Sequence, residues 1–432
     1  MSIQINREVI ADGVAFSAII DPKIKNSVLK IKFVTELSEE AAPLNSMAAM
    51  LIGSTNNKIK TYSEMSDKLN ALYGSSLYTD TSKAGDCQII TFSADCIHNR
   101  FALEGEDILS EMLDIAQDCI FNPNVTDGEF DNTEFELKKR ELIESIYSEI
   151  NNKRGYAHMQ AHKYIFRDEP CAFSLYGTVE NAEKITPKQV YDSYCTLLKT
   201  AVIEIYFVSS EKNDSVKERF SEAFSVLERT PQEPKIRTVS PLKTEVCNAS
   251  DKIEMKQTKV IMAFKTKSDN KNACTLASRI LGGTTFSKLF TNVREKMSLC
   301  YYCSSSYVYS KGTMLVDSGV ENENTEKLTA EVVNQLDAVK NGDFTDEELL
   351  NTKLYLVNSV RSVNDSPSQI VAWYFNNYCC GEKLSLTPDE HIEKLMAVTR
   401  EEVTEAANSF ELDTVYVMEA LESSESQEED DE

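Results

Sequence analysis

The sequence predicts an α+β protein of two domains that contain strands and helices in the same order. The chain has 432 residues, and single hydrophobic cores rarely grow beyond about 250–300 residues. Each half also passes through a strand, helices, a strand pair, more helices and a final strand. The predicted boundaries are a first domain at 1–228, a proline-containing linker at 229–250, a second domain at 251–421 and a disordered acidic tail at 422–432.

The first half opens with β-branched, alternating runs up to Glu36, which favour antiparallel strands. A buried helix is predicted after Pro43, and a second helix from Tyr62 to Tyr73 that ends at Gly74. The remaining predicted elements of this half are strands at 76–81, 87–94 and 201–210, and helices at 104–119, at 129–166 with a break near Gly155, and from Thr186 onward.

The second half repeats this order. Gly282 and Gly283 provide a turn after a strand and a helix, and a short amphipathic helix then ends near Arg294. The other predicted elements are strands at 253–265, 299–307, 313–320 and 414–420, and helices at 270–281, 325–340, 346–363, 367–380, 388–395 and 400–410.

Strict alternation along the strand after Arg294 places Tyr301 and Cys303 on one face and Cys300 on the other. Cys300 and Cys303 have the C-x-x-C spacing of some metal and redox sites. Because residues i and i+3 of a regular strand point to opposite faces, we do not expect these two thiols to act together.

The composition excludes several classes of partner. A formal charge of -25 argues against nucleic acid and anionic membranes, since both are bound by clustered Lys and Arg. The first residues lack the features of a signal peptide, and no window approaches the roughly 18 apolar residues of a membrane span. The 11 scattered cysteines fit a reducing compartment. We therefore expect a cytoplasmic protein.

Residues 281–302, LGGTTFSKLFTNVREKMSLCYY, resemble the insulinase/pitrilysin-type peptidases, the inverted zincins. Members carry a glycine-rich turn followed by L-x-x-x-x-R-E-K-x-x-L-x-Y. This chain supplies the motif with Leu289, Arg294, Glu295, Lys296, Leu299 and Tyr301. The resemblance covers roughly residues 5–420. It implies an α+β fold of two homologous domains, each a mostly antiparallel sheet packed with helices, related by duplication.

Active members of this family bind zinc through H-x-x-E-H on the first buried helix and a distal glutamate. The matching positions here are Asn45, Ala48 and Ala49, which provide neither the ligands nor the general base. Glu144 lies near the expected distal glutamate and is interpreted as a helix-surface or structural residue. We therefore expect no metal in this chain and no proteolysis by the chain alone, as in the inactive bacterial members of the family.

A predicted helix carries a second candidate metal site. His158 and His162 are separated by four residues and could face one ion, with Glu149 nearby. The pair lacks the intervening glutamate of a zincin helix, so surface or interface positions are the favoured interpretation.

The resemblance also assigns a function to Arg294 and Tyr301. In active members the equivalent residues stabilise the developing oxyanion, and in two-chain members they act on the zinc site of the other chain. The chain is thus expected to be a non-catalytic subunit that pairs with a zinc-bearing homologue and forms half of a peptide chamber. Pairing with itself stays open, as does a structural role of both residues in a peptide-binding or structural scaffold without enzymatic function.

Overall fold

The computed structural model describes residues 4–421, and the predicted acidic tail at 422–432 lies outside the described residues. The strands are β1 Gln4–Ala11, β2 Val14–Ile20, β3 Asn26–Glu36, β4 Ser76–Ala84, β5 Cys87–Ile97, β6 Val125–Thr126, β7 Glu129–Phe130, β8 Val202–Ser209, β9 Cys247–Glu254, β10 Thr258–Lys265, β11 Cys300–Val308, β12 Thr313–Val320 and β13 Glu411–Leu421.

The α-helices alternate with these strands. They are α1 Ala41–Ile52, α2 Tyr62–Ala71, α3 Ile108–Phe121, α4 Asn132–Ser148, α5 Lys153–Ile165, α6 Val179–Lys184, α7 Pro187–Thr200, α8 Asp214–Ser225, α9 Lys271–Gly282, α10 Thr325–Lys340, α11 Asp346–Arg361, α12 Pro367–Cys379, α13 Pro388–Ala397 and α14 Arg400–Asn408. A π-helical segment, Leu289–Lys296, precedes β11.

The described chain divides into two compact units, and each unit is assembled from separate segments of sequence. The first unit contains residues 4–148, 173–236 and 365–378, and the second contains 149–172, 237–364 and 379–421. These segments differ from the continuous domains predicted at 1–228 and 251–421. The reason is that α5 packs within the second unit and nearly all of α12 belongs to the first.

The segment predicted as a linker is anchored within both units. Arg229 is buried in the first unit, where its Nε donates a hydrogen bond to the carbonyl oxygen of Asp12 at 2.8 Å. In the second unit, the backbone N–H of Ser240 donates to the Lys311 carbonyl oxygen at 3.0 Å, and β9 starts at Cys247. The Arg229 side chain thus holds one end of the segment, and the Ser240 bond satisfies a backbone N–H group that lies outside regular secondary structure.

The first unit is built on a six-stranded sheet with the order β1-β2-β8-β3-β5-β4. β2 and β8 are parallel, and the other neighbouring pairs are antiparallel. β8 lies between β2 and β3, and all eight of its residues are buried, which explains its nearly continuous apolar sequence VIEIYFVS. Its one charged residue, Glu204, accepts two hydrogen bonds from the Arg7 guanidinium, so the buried charge is compensated.

The second unit is built on a five-stranded sheet with the order β11-β12-β10-β13-β9. β13 and β9 are parallel, and the remaining pairs are antiparallel. Helices α9, α10, α11 and α14 contribute apolar residues to the core on one side of this sheet. Ala157, Ala161 and Ile165 of α5 pack in a separate apolar cluster with β10, β12 and β13. This sheet is therefore covered on both faces.

The two sheets share one topology, which confirms the predicted duplication. Reading outward from the parallel pair, β2-β8-β3-β5-β4 of the first unit corresponds to β9-β13-β10-β12-β11 of the second. β1 is an additional edge strand of the first unit. In chain order, α1 follows β3 and precedes β4, and α9 follows β10 and precedes β11. These two helices therefore occupy corresponding places in the two units. The α+β fold class with two homologous domains is confirmed.

Local sequence signals account for several observed boundaries. α2 begins with a capping box between Thr61 and Glu64 and is followed by Gly74, whose φ is +69°. The long helical region predicted at 129–166 is broken at the 3₁₀ turn Glu149–Asn151, ahead of Gly155, which instead lies in the first turn of α5 with Asn152 as its cap. Among residues 4–421, no helix has the length and apolarity needed to cross a bilayer.

Candidate functional site

The helix at the expected zinc position, α1, carries a neutral amide network. Asn45 is buried, its Nδ2 donates to Gln88 Oε1 at 3.0 Å, and its Oδ1 accepts from Ser193 Oγ at 3.0 Å. Gln88 Nε2 in turn donates to the Ser46 hydroxyl and to the carbonyl oxygens of Ala42 and Leu175. These buried polar groups satisfy one another without a metal ion.

The residues on α1 do not fit a zinc site of the family's type. Ala48 and Ala49 are buried among apolar residues and offer only methyl groups. Glu144, the residue nearest to the expected distal ligand in sequence, is exposed on α4. A site of this kind needs nitrogen, sulfur or carboxylate ligands converging on one point, and Asn45, Ala48 and Ala49 do not provide them.

Arg294 lies near the end of the π-helical segment of the second unit. Its guanidinium stacks on the Phe290 ring at 4.7 Å and lies 3.6 Å from Glu295 Oε1, and its side chain is 40% exposed. Leu289 and Val293 of the same segment are buried and attach it to the core. The apolar residues thus fix the segment and leave the guanidinium accessible to a ligand.

Arg294 belongs to the wall of an open groove of about 390 Å³ within the second unit, here called the Arg294 groove. Its lining combines the glycine turn, four aromatic rings and two guanidinium groups. The lining residues are Arg154, Gly282, Gly283, Thr284, Thr285, Phe286, Phe290, Arg294, Tyr302, Cys303, Ser304 and Tyr355. Such a mixture of apolar surface and a few polar groups is typical of a ligand-binding site.

Tyr301 does not line this groove, and it does not follow the alternation that would place it on the same face as Cys303. Cys300 pairs with Val320 and Tyr302 with Gly319, so Tyr301 is the extra residue of a β-bulge. Its side chain is 62% exposed, and its hydroxyl donates to Glu321 Oε1 at 2.8 Å. That hydrogen bond raises the pKa of Tyr301, so the phenol remains a donor at neutral pH. Within residues 4–421, Arg294 and Tyr301 share no hydrogen bond.

A charged cluster beside the Arg294 groove was not foreseen from the sequence. Asp317 of β12 accepts hydrogen bonds from Arg154 Nε, His158 Nε2 and Ser304 Oγ. The Arg154 guanidinium also stacks on the Tyr302 ring at 4.5 Å. Burial opposes ionisation of Asp317, but these three donors outweigh it and hold the pKa of the carboxyl well below its usual range.

The Asp317 cluster also explains where the two helical histidines lie. His158 faces Asp317, whereas the His162 ring makes an edge contact with Phe166 at 5.0 Å. Ligand atoms of Glu149, His158 and His162 do not gather within 4.8 Å of one another in the described part of the chain. The one local signal for the cluster was a lone aspartate in the buried strand TMLVDSGV, which requires a partner.

Comparison with known proteins gives consistent results. The family model of the peptidase M16 inactive domain matches residues 184–356. The "Probable inactive metalloprotease YmfF" of Bacillus subtilis (strain 168) is 24% identical over 405 residues, which are 93% of this chain and 94% of the relative. Similarity therefore extends over nearly the whole length of both proteins.

Two solved structures share the fold. A conserved protein from Enterococcus faecalis V583 has a TM-score of 0.90 at 24% identity, covering 97% of this chain and 99% of the other. A peptidase M16 inactive domain from Pseudomonas fluorescens has a TM-score of 0.78 at 17% identity, covering 97% and 98%. Fold and site together define an inactive-metallopeptidase-like protein. The chain is similar to the peptidase M16 inactive domain over residues 184–356 and to an inactive metalloprotease over nearly its whole length, in agreement with the resemblance to insulinase-type peptidases.

Proposed function

We propose that this chain is the non-catalytic subunit of a zinc metalloendopeptidase, located in the cytoplasm, whose metal is bound by a second, homologous subunit. One observation carries the proposal: the Arg294 guanidinium remains accessible in an open groove, while the zinc positions hold Asn45, Ala48 and Ala49. A subunit of this kind contributes half of a peptide chamber and no metal. The zinc, and the water that it activates, belong to the partner.

In this proposal Arg294 and Tyr301 donate hydrogen bonds to the peptide oxyanion that forms at the partner's zinc. Arg294 needs no rearrangement to expose a donor. Tyr301 must exchange its bond to Glu321, and an exposed hydrogen bond of this kind contributes only about 0.5–1.5 kcal/mol. A well-placed oxyanion donor is worth about 2.7–4 kcal/mol in the transition state, so the exchange is favourable during catalysis.

The test reconstitutes the complex with a homologue from the same organism that carries an intact H-x-x-E-H motif. Complex formation is measured by light scattering and peptide hydrolysis by steady-state kinetics. Arg294→Ala and Tyr301→Phe should each lower kcat by about 100- to 1000-fold with little change in KM, because the lost bonds form in the transition state.

Matched controls separate this effect from general damage. Arg400 also stacks on a phenylalanine ring at 4.7 Å and has a similar side-chain exposure of 37%. Tyr147 has the same 62% exposure as Tyr301. Arg400→Ala and Tyr147→Phe should leave kcat unchanged. A complex that forms normally and keeps full turnover with both Arg294→Ala and Tyr301→Phe would contradict the trans-acting role.

The second candidate is a peptide-binding or structural scaffold without any part in hydrolysis, formed with a partner or with a second copy of this chain. It is favoured by the contacts that Arg294 and Tyr301 already make with Phe290 and Glu321. In that case both substitutions would lower the stability of the chain, and turnover of any complex would not depend on them.

A further inference from the structure

Cys300 and Cys303 lie on the same face of β11, although their spacing in a regular strand would separate them. The β-bulge at Tyr301 inserts one residue between them, so the alternation is reset. Cys303 is buried in the helix-covered core of the second unit, and Cys300 packs against that same core. The sequence-based expectation that these two side chains point to opposite faces is wrong for this reason.

The two thiols lie close enough to influence each other's ionisation. The Cys303 thiol and the Ser318 side chain both favour the charged form of Cys300, and the Ser318 hydroxyl itself donates to the Tyr302 carbonyl oxygen at 2.7 Å. Ser318 is the residue directly opposite Cys303 on β12, so the regular ladder holds the second thiol in place. Arg294 adds a positive charge near Cys300. The pair is therefore an organised dithiol and not two isolated cysteines.

The surroundings of the two thiols shift their pKa values in opposite directions. The hydrogen bond from Cys303 lowers the pKa of Cys300 to about 7 against the opposing effect of burial, with smaller contributions from Ser318 and Arg294. The same hydrogen bond and burial raise the pKa of Cys303 well above its usual value. By contrast, burial raises the pKa of Cys96 and of Cys119 to about 12. Cys300 is the nucleophile of the pair at neutral pH.

We propose that Cys300 and Cys303 form a thiol–disulfide exchange site whose oxidant is a small-molecule disulfide. The Cys300 thiolate attacks one sulfur of the oxidant, which releases one thiolate and leaves a mixed disulfide on Cys300. Cys303 then attacks the Cys300 sulfur and expels the second thiolate, and the protons of the two cysteine thiols pass to the two leaving groups. One disulfide is reduced to two thiols, and the dithiol of the chain is oxidised to one disulfide.

Formation of the internal disulfide requires Cys300 to move toward Cys303, and the position of Cys300 at the start of a strand permits this movement. A disulfide requires Cα atoms about 4.4–6.8 Å apart, which residues i and i+3 of an extended strand do not reach without a backbone shift. β11 is an edge strand that begins at Cys300, and the bulge already interrupts its ladder there. The preceding Ser298 has a φ of +51°, which is unfavourable for serine. Displacing this strand end disturbs little regular pairing, and it also displaces Tyr301.

The test uses the purified full chain and glutathione disulfide. After incubation, free thiols are alkylated under denaturing conditions and the chain is digested with trypsin. Residues 297–311, MSLCYYCSSSYVYSK, form one tryptic peptide that contains both cysteines of the pair and no other. We expect this peptide to be two hydrogen atoms lighter and unalkylated, and to regain two alkylatable thiols after dithiothreitol. Peptide hydrolysis by the protein or its complex plays no part in this measurement, so the result is independent of the proposed function.

Variants identify each role. Cys303→Ser should trap a stable glutathione adduct on Cys300, whereas Cys300→Ser should leave Cys303 reduced. Cys195 is exposed and lies in a separate tryptic peptide, 189–199, so Cys195→Ser is the matched control and should still form the internal disulfide. Since Cys303 is buried, Cys303→Ala is made as well and the fold of each variant is verified by circular dichroism.

Two results would overturn the proposal. In the first, Cys195 acquires glutathione while peptide 297–311 keeps both thiols. In the second, the unaltered chain accumulates the mixed disulfide at Cys300 without closing the internal bond.

Discussion

Asp317 is a charged residue of the second unit in which burial and ionisation oppose each other. Its side chain is only 7% exposed, and it lies in a strand whose eight residues are all buried. An ionised carboxylate in such a place is tolerated when donors surround it, and here Arg154, His158 and Ser304 supply them. The cluster joins α5 to the sheet through polar contacts where Ala157 and Ala161 join it through apolar ones.

Replacing Asp317 by asparagine should lower the free energy of unfolding by about 1–3 kcal/mol at pH 7. Breaking a buried ion pair costs about 3–5 kcal/mol, but the Arg154 side chain is 52% exposed and can be rehydrated, so the smaller value is expected. Urea unfolding measures the difference. Asp337→Asn, at an aspartate that is 54% exposed, is the control and should change stability by less than about 0.5 kcal/mol.

Asp317→Asn should also make the free energy of unfolding less dependent on pH in the acidic range. The folded pKa of Asp317 is depressed, so its contribution is fully present above the unfolded value near 3.9 and is lost as pH falls below it. The stability difference between the unaltered chain and Asp317→Asn should therefore be constant from pH 7 to about pH 5 and shrink at more acidic pH. A difference that grows as the pH falls toward 3 would contradict this assignment.

At the scale of elements, the turn between β11 and β12 depends on one glycine. Gly312 has a φ of +57°, and a Cβ atom placed there would lie 2.6 Å from the Thr266 carbonyl oxygen. The Gly312 carbonyl oxygen also accepts a hydrogen bond from the Thr266 N–H at 2.8 Å. The turn thus needs both a left-handed backbone and close approach of another chain segment.

Gly312→Ala should destabilise the second unit more than Gly342→Ala does. Gly342 has a φ of +72°, but its nearest neighbour, Thr404 Oγ1, would lie 3.7 Å from the new atom. Gly342→Ala should cost about 1–2 kcal/mol for the left-handed backbone alone. Gly312→Ala should cost a further 1–3 kcal/mol, approximately, from the steric clash. Urea midpoints compare the two variants, and equal midpoints would show that the approach to Thr266 is unimportant.

The bulge in β11 marks where element-level prediction failed. The strand itself was predicted from its sequence, and it alternates regularly after the bulge. Cys303 and Ser305 are both buried, and the Ser305 hydroxyl donates to the Ser278 carbonyl oxygen of α9. One inserted residue at Tyr301 changed the faces of its neighbours without changing any local propensity. The register in which β11 pairs with β12 determines which residue is the extra one.

At the scale of the whole molecule, the absence of zinc ligands on α1 should make the isolated chain insensitive to metal removal. The amide network of Asn45, Gln88 and Ser193 is complete without an ion, so dialysis against EDTA should leave the melting temperature unchanged within about 1 °C. Metal analysis should find less than stoichiometric zinc in the purified chain, and the chain alone should hydrolyse no peptide.

The zinc-bearing homologue is the positive control for both measurements, since chelation should inactivate it. Stoichiometric zinc in the isolated chain that is lost in the His158→Ala variant would contradict the expectation and favour the alternative site on α5.

How far the sequence leads differs between the site and the fold. Asn45, Ala48 and Ala49 could be assessed from the sequence, because side-chain chemistry alone decides that amide and methyl groups do not replace the zinc ligands. The contact between Arg154 and Asp317 could not be predicted, since 163 residues separate them and an aspartate in a buried strand indicates that it has a partner but not which one. The accessibility of Arg294 likewise depends on Phe290 and on the groove around it.

The sequence by itself determined the order of strands and helices, the duplicated α+β organisation and the loss of the zinc motif, because propensity, capping and residue chemistry are local properties. Only the tertiary structure decided that α5 and α12 pack outside the continuous domains predicted for them. It also decided that Tyr301 leaves the face predicted for it and that Cys300 shares a face with Cys303. These outcomes depend on strand register and on packing between distant segments, which local sequence patterns do not specify.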